Sequence, residues 1–153
     1  MDKQQKYEEL LPQIAALIQG ETDETAVMAN VCAVLADAFG WWWTGFYRVN
    51  GGELLLGPFQ GPVACYHIGF GRGVCGTAWQ QCRTVIVDDV EKFPGHIACS
   101  SLSRSEIVVP VIDKCGQVRA VLDIDSRHLS FFDTVDREYL ERVVRIVADA
   151  VYK

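Results

Sequence analysis

The sequence predicts an α+β domain, a central and mainly antiparallel sheet with N-terminal and C-terminal helices packed on one face. Two observations predict it. Apolar residues recur at three- and four-residue spacing at both ends of the chain, and the β-rich runs between them are joined by hairpin signals rather than long crossovers.

From residue 4 to 19, Tyr7, Leu10, Leu11, Ile14, Leu17 and Ile18 form one helical stripe, closed by Gly20. Thr22 or Asp23 caps a second helix, striped by Val27, Val31, Val34, Leu35 and Ala38 and ended by Gly40. A strand from Trp41 to Val49 turns at Asn50-Gly51-Gly52 into Glu53 to Leu56. Residues 57–73 are rich in Gly and Pro, with a short strand over Val63 to Ile68. Val74 to Gln81 follows as a two-turn helix and Thr84 to Val87 as another strand. Residues 88–104 lack periodicity and form an irregular loop, an element that often carries function. Ile107 to Ile112 and Val118 to Ile124 are apolar strands joined by Asp113-Lys114-Cys115-Gly116. A last helix, capped near Asp133 or Thr134, is striped by Val135, Tyr139, Val143, Ile146, Val147, Ala150 and Val151. No repeat, linker or low-complexity run divides the chain, so residues 1–153 are expected to form one domain.

Half of the residues are hydrophobic and 22% are charged, a globular composition. The polar start Met1-Asp2-Lys3-Gln4-Gln5-Lys6 is not that of a signal peptide, and no stretch approaches the roughly 18 apolar residues of a membrane span. A cytoplasmic location is expected. The net charge of −6, without clustered Lys and Arg, argues against nucleic acid and acidic membranes as partners. The six cysteines, Cys32, Cys65, Cys75, Cys82, Cys99 and Cys115, contain no C-x-x-C, so no zinc knuckle or thioredoxin motif is present and no metal is expected.

Gly71, Gly73 and Gly76 spell G-x-G-x-x-G, but the helix behind them is short and the neighbouring strands form hairpins. A dinucleotide fingerprint needs a parallel βαβ unit, so these glycines are assigned to tight turns. Asp123 and Asp125 stand two apart in an otherwise apolar strand and share one face. A two-residue loop at Lys114-Cys115 sets Glu106 opposite Asp123, whereas a bulge at Gly116 sets it opposite Ile124. Three converging carboxylates would raise at least one pKa and could keep a proton or hold an ammonium. Strand termination by the two aspartates is the alternative. Cys99 lies in a polar stretch three residues after His96, where one helical turn would bring imidazole and thiol together. Trp43 and Tyr47 point the same way with Gly45 between them, which either walls a pocket or fills core.

Together these segments resemble the free methionine-(R)-sulfoxide reductase family. The matching runs are Gly57-Pro58-Phe59-Gln60-Gly61-Pro62-Val63-Ala64-Cys65, Gly71-Arg72-Gly73-Val74-Cys75-Gly76, His96-Ile97-Ala98-Cys99, Ser105-Glu106-Ile107-Val108-Val109-Pro110 and Val121-Leu122-Asp123-Ile124-Asp125-Ser126. The resemblance implies a GAF-type fold and a thiol enzyme acting on free methionine-(R)-sulfoxide. It implies Cys99 as the catalytic cysteine, Cys65 as the resolving one and Cys75 as a third that assists. It places Trp43, Tyr47, Glu106, Asp123 and Asp125 around the substrate, with Cys32, Cys82 and Cys115 outside the motif. It further implies no bound cofactor, thioredoxin as reductant and a homodimer. A ligand-sensing GAF domain without turnover is the competing expectation.

Overall fold

The computed structural model of the protein describes residues 1–96 and 102–153. Two helices come first, α1 (Lys3–Ile18) and α2 (Glu24–Phe39). They are followed by β1 (Trp43–Asn50), β2 (Glu53–Gln60), β3 (His67–Gly69), α3 (Gly73–Gln81) and β4 (Val85–Val87). A 3-10 turn (Val90–Lys92), β5 (Ser105–Ile112), β6 (Val118–Ser126) and α4 (Thr134–Val151) complete the order. Among the described residues, six strands form one sheet in the order β3-β2-β1-β6-β5-β4, and each neighbouring pair is antiparallel. The α+β expectation holds, and the absence of a parallel pair in this sheet rules out the dinucleotide-binding unit.

Local chemistry sets the helix ends. Asp2, Asp23 and Asp133 each accept backbone N–H groups of the following turn, and Gly40 closes α2 at φ 64°. Of the α1 stripe, Tyr7, Leu10, Ile14 and Ile18 are buried, but Leu17 is exposed, because it lies at the margin of the packed face. In α4 the buried face is Tyr139, Leu140, Val143, Val144, Val147 and Ala148, while Ile146 and Ala150 only flank it. Cys32 is buried within α2 as packing, and burial pushes its thiol up to about 12.

Strand alternation divides the core into two layers. Phe46, Ile107, Val109, Val111, Ala120, Leu122 and Ile124 pack against α1, α2 and α4. Trp43, Tyr47, Val108 and Val121 pack on the other side with Val74, Cys75 and Ala78 of α3. The terminal helices therefore share one face, as expected. Among the described residues, the second face is covered by α3 and loops, and this is where a pocket can form.

Two stretches depart from expectation. β2 continues to Gln60 through Gly57-Pro58, absorbing a register shift against β1 between Gly45 and Tyr47. A proline is admitted at such an irregularity because no regular ladder bond is asked of it. The strand expected over Val63 to Ile68 shrinks to His67–Gly69.

Candidate active site

The register between β5 and β6 corrects both sequence-level pairings. Glu106 lies opposite Asp125, and Val108 lies opposite Asp123. The hairpin closes between Asp113 and Gln117, with Gly116 at φ 82°, so the loop holds three residues rather than two. A second irregularity between Val111 and Ile112 adds another residue of slip. Two one-residue shifts restore parity, which is why Glu106 still shares a face with Asp123 and Asp125.

β1 completes the arrangement from the other side. Trp43 pairs with Asp125, Gly45 with Asp123 and Tyr47 with Val121. One row across three strands thus reads Glu106, Asp125, Trp43, and the next reads Val108, Asp123, Gly45. The missing side chain at Gly45 is required. A Cβ there would stand 2.4 Å from the Phe59 Cβ and 2.5 Å from the Trp43 Cη2. Trp43 instead lies over this gap, stacked between Phe59 at 5.2 Å and Tyr47 at 6.0 Å. Its indole Nε1 donates to the Pro62 carbonyl at 3.0 Å, and the Tyr47 hydroxyl donates to the Cys65 carbonyl at 3.0 Å.

These side chains line one pocket, open to solvent on one side. All five expected substrate contacts, Trp43, Tyr47, Glu106, Asp123 and Asp125, face it, and so does Cys75. Arg72, His96 and Ser103 also line it. Of these, His96 had been assigned a role only beside Cys99, and the other two no role at all. Their presence depends on how the loops fold back over the sheet, a non-local event without a spacing signature. Ser103 is buried and donates to the Asp125 Oδ1 at 3.1 Å. The first turn of α3 borders the pocket without a side-chain cap, and its residue Gly76 admits the Gly69 carbonyl so closely that a Cβ would stand 2.5 Å from it. The G-x-G-x-x-G run thus serves turns, at Gly71 and Gly73, and close packing, at Gly76.

Electrostatics make the floor of the pocket a store of protons. Glu106 and Asp123 are buried, and Asp125 is half-buried. Burial, reinforced by the neighbouring carboxylates, holds Glu106 well above the usual carboxylate range. Burial and the Asp123 charge do the same to Asp125. Asp123 is also raised by burial, and the adjacent Glu106 carboxyl and Cys75 thiol oppose the rise. All three carboxyls are raised, so the trio holds protons that separate, solvated carboxylates would have lost. The Cys75 thiol is pushed well up by burial and by the three acids, which keeps it from being a ready thiolate nucleophile.

Cys65 is half-buried and disulfide-bonded. Cys99 lies outside the described residues, and so does its expected proximity to His96. The imidazole of His96 is held below its ordinary value by burial. Cys32, Cys75, Cys82 and Cys115 are free, the last two exposed at turns. Among the described residues, Cys75, Glu106 and Asp123 bring three potential ligand atoms together. No helix among the described residues is long and apolar enough to cross a membrane.

Residues 21–151 match the GAF domain family. The chain is 56% identical over 146 residues to GAF domain-containing protein A of Dictyostelium discoideum, covering 95% of this chain and 92% of that protein. It is 41% identical over 158 residues to the free methionine-R-sulfoxide reductase of Escherichia coli (strain K12), covering 100% of this chain and 95% of that one. It superposes with a TM-score of 0.97 on the free methionine-R-sulfoxide reductase of Neisseria meningitidis in complex with its substrate. That structure is 52% identical, with 99% of this chain and 92% of the other covered.

Proposed function

Because the chain belongs to the free methionine-R-sulfoxide reductase family of GAF-domain oxidoreductases, we propose that it reduces free L-methionine-(R)-sulfoxide to L-methionine by cysteine chemistry. The observation that carries the reading is the cross-strand row of Glu106, Asp125 and Trp43 beside Asp123 and Tyr47, an acid floor under an aromatic wall. Such a pocket suits a small zwitterion with a sulfur-bearing tail. Aromatic edges favour sulfur by about 0.3–1.5 kcal/mol, and the carboxylates suit an α-ammonium group that a peptide-bound residue lacks. Arg72 and the uncapped first turn of α3 supply the positive potential for the α-carboxylate.

A sulfoxide oxygen leaves poorly until protonated. The thiolate of Cys99 attacks the substrate sulfur while a protonated member of the acid trio, Glu106 or Asp125, gives its proton to the oxygen. Oxygen passes from substrate to enzyme, so methionine departs and Cys99 is left as a sulfenic acid. The Cys65 thiol condenses with it, forming a disulfide and releasing water. A thioredoxin-like dithiol then reduces that disulfide by exchange. Cys75 takes no nucleophilic part in this cycle, since it is buried and its thiol is held in the protonated form. Cytoplasmic location and a single domain over residues 1–153 belong to the same proposal, as does a homodimer.

The test is NADPH consumption with free methionine-(R)-sulfoxide, thioredoxin and thioredoxin reductase. The parent is expected to turn over and Cys99→Ser to be inert. Cys65→Ser is expected to release one methionine per chain and then stop. Turnover by Cys99→Ser at the parental rate would refute the scheme.

A further inference from the structure

We propose that Cys75, Glu106 and Asp123 form a site for a thiophilic divalent cation such as zinc, and that a metal held there blocks the substrate pocket. The proposal rests on the functional reading for its consequence, inhibition, but its binding part stands independently.

Three observations support it. One ligand atom from each of these residues, a sulfur and two carboxylate oxygens, lies within 4.8 Å of the other two. All three side chains are buried, Cys75 at 4% exposure and Glu106 and Asp123 at 6% each. Finally, the Asp123 Oδ1 is buried and has no hydrogen-bond partner. A buried acceptor left unmatched is costly, so the site has an unmet demand for a donor or a cation. Asp125 differs in this respect, since Ser103 already donates to it.

The donor set selects the metal. Zinc takes four ligands, with sulfur at about 2.3 Å and oxygen at about 2.0–2.2 Å, which places donors roughly 3.5 Å apart. A present spread of no more than 4.8 Å closes by rotamer adjustment, most readily of the long Glu106 side chain. The fourth position would face the pocket, open to water or to Asp125. Magnesium and calcium want six or more oxygens and gain nothing from a thiolate. The thiol and the carboxyls give their protons to solvent as the metal enters. Substrate ammonium and metal are both cations drawn to the same acids, so one excludes the other.

Cobalt(II) titrated into the reduced full-length chain is expected to give a single thiolate-to-cobalt charge-transfer band. The band should survive in the Cys65→Ser/Cys99→Ser double variant and be lost in Cys75→Ser. X-ray absorption of the zinc-loaded parent, which needs no variant to fold, should show one sulfur with otherwise oxygen ligands. Two sulfurs, or a band that depends on Cys65 and Cys99 instead of Cys75, would overturn the site. Zinc is expected to raise KM for the sulfoxide without changing kcat, and binding through Cys75 with KM unmoved would overturn the blocking role. A parent that reduces the sulfoxide yet binds no cobalt loses the metal site and keeps the activity. Cobalt binding through Cys75 in a chain without turnover upholds the site and refutes the activity.

Discussion

The hydroxyl of Tyr47 donates to the backbone carbonyl of Cys65 at 3.0 Å, so a residue in the middle of β1 fixes the segment carrying the proposed resolving thiol. Tyr47 is itself 1% exposed and stacked on Trp43, which makes the tether rigid. Tyr47→Phe keeps the ring and removes only the donor. The expected stability loss is about 1 kcal/mol, the net worth of one such bond. The larger effect falls on kcat, because disulfide closure needs Cys65 in place. Rapid-quench analysis should find the first methionine released at the parental rate and a slower second phase. A slowed first phase would assign Tyr47 to the substrate step instead.

The acid trio gives the protein a pH signature. Burial and mutual repulsion hold Glu106 and Asp125 well above ordinary carboxylates. The folded chain therefore binds more protons than the unfolded chain over the interval between the ordinary and the raised values. Stability from this source is complete below the ordinary value and is lost as pH rises through the raised one. Urea denaturation at a series of pH values rising from the ordinary carboxylate value should show that fall in the parent and a flatter profile in Glu106→Gln, whose amide cannot ionise. Turnover should decline over the same interval as the proton donor empties. An equal slope in parent and variant would show that Glu106 does not titrate there.

Gly45 tests whether the aromatic wall needs its gap. Gly45→Ala drives a methyl into the Phe59 Cβ and the Trp43 ring at 2.4 and 2.5 Å, contacts that real side chains do not make. Overpacking of this kind costs about 1–3 kcal/mol. Trp43 must tilt, so KM should rise along with the stability loss, and indole fluorescence should shift. A normal KM in a destabilised variant would separate the packing of Trp43 from substrate binding.

The helices and the shared face of the acids were legible in the sequence because both depend on periodicity alone. Tyr7, Ile14, Val31 and Val143 announce their burial by spacing. Asp123 and Asp125 announce a common face by standing two apart. The pairing partner of each acid was not legible, since it depends on a three-residue loop at Gly116 and a further slip at Val111/Ile112. Two local irregularities left the face unchanged and moved the opposing residue by two. Arg72 and Ser103 escaped notice for a different reason. Each sits in a loop whose position is set by contacts distant in sequence, and neither belongs to a run with a period.

Asp136 separates stability from catalysis. It lies at the start of α4, on the helical face of the sheet and away from the pocket, and its side chain is 1% exposed. It accepts from the Tyr7 hydroxyl and the Lys3 ammonium, each at 2.7 Å, and from the Asp133 N–H at 3.0 Å. One carboxylate thus joins α1 to α4 and closes the capping box of α4. Asp136→Ala strands the buried Tyr7 hydroxyl, whereas Lys3, at 32% side-chain exposure, can turn to water. The expected loss is about 3 kcal/mol, mainly from the tyrosine and the cap. Asp136→Asn, which keeps an acceptor for Tyr7, should lose less. At a temperature where the variants remain folded, kcat and KM should match the parent, because the sheet lies between Asp136 and the acid floor. A catalytic defect in the folded Asn variant would show that strain on the helical face reaches the pocket through the strands.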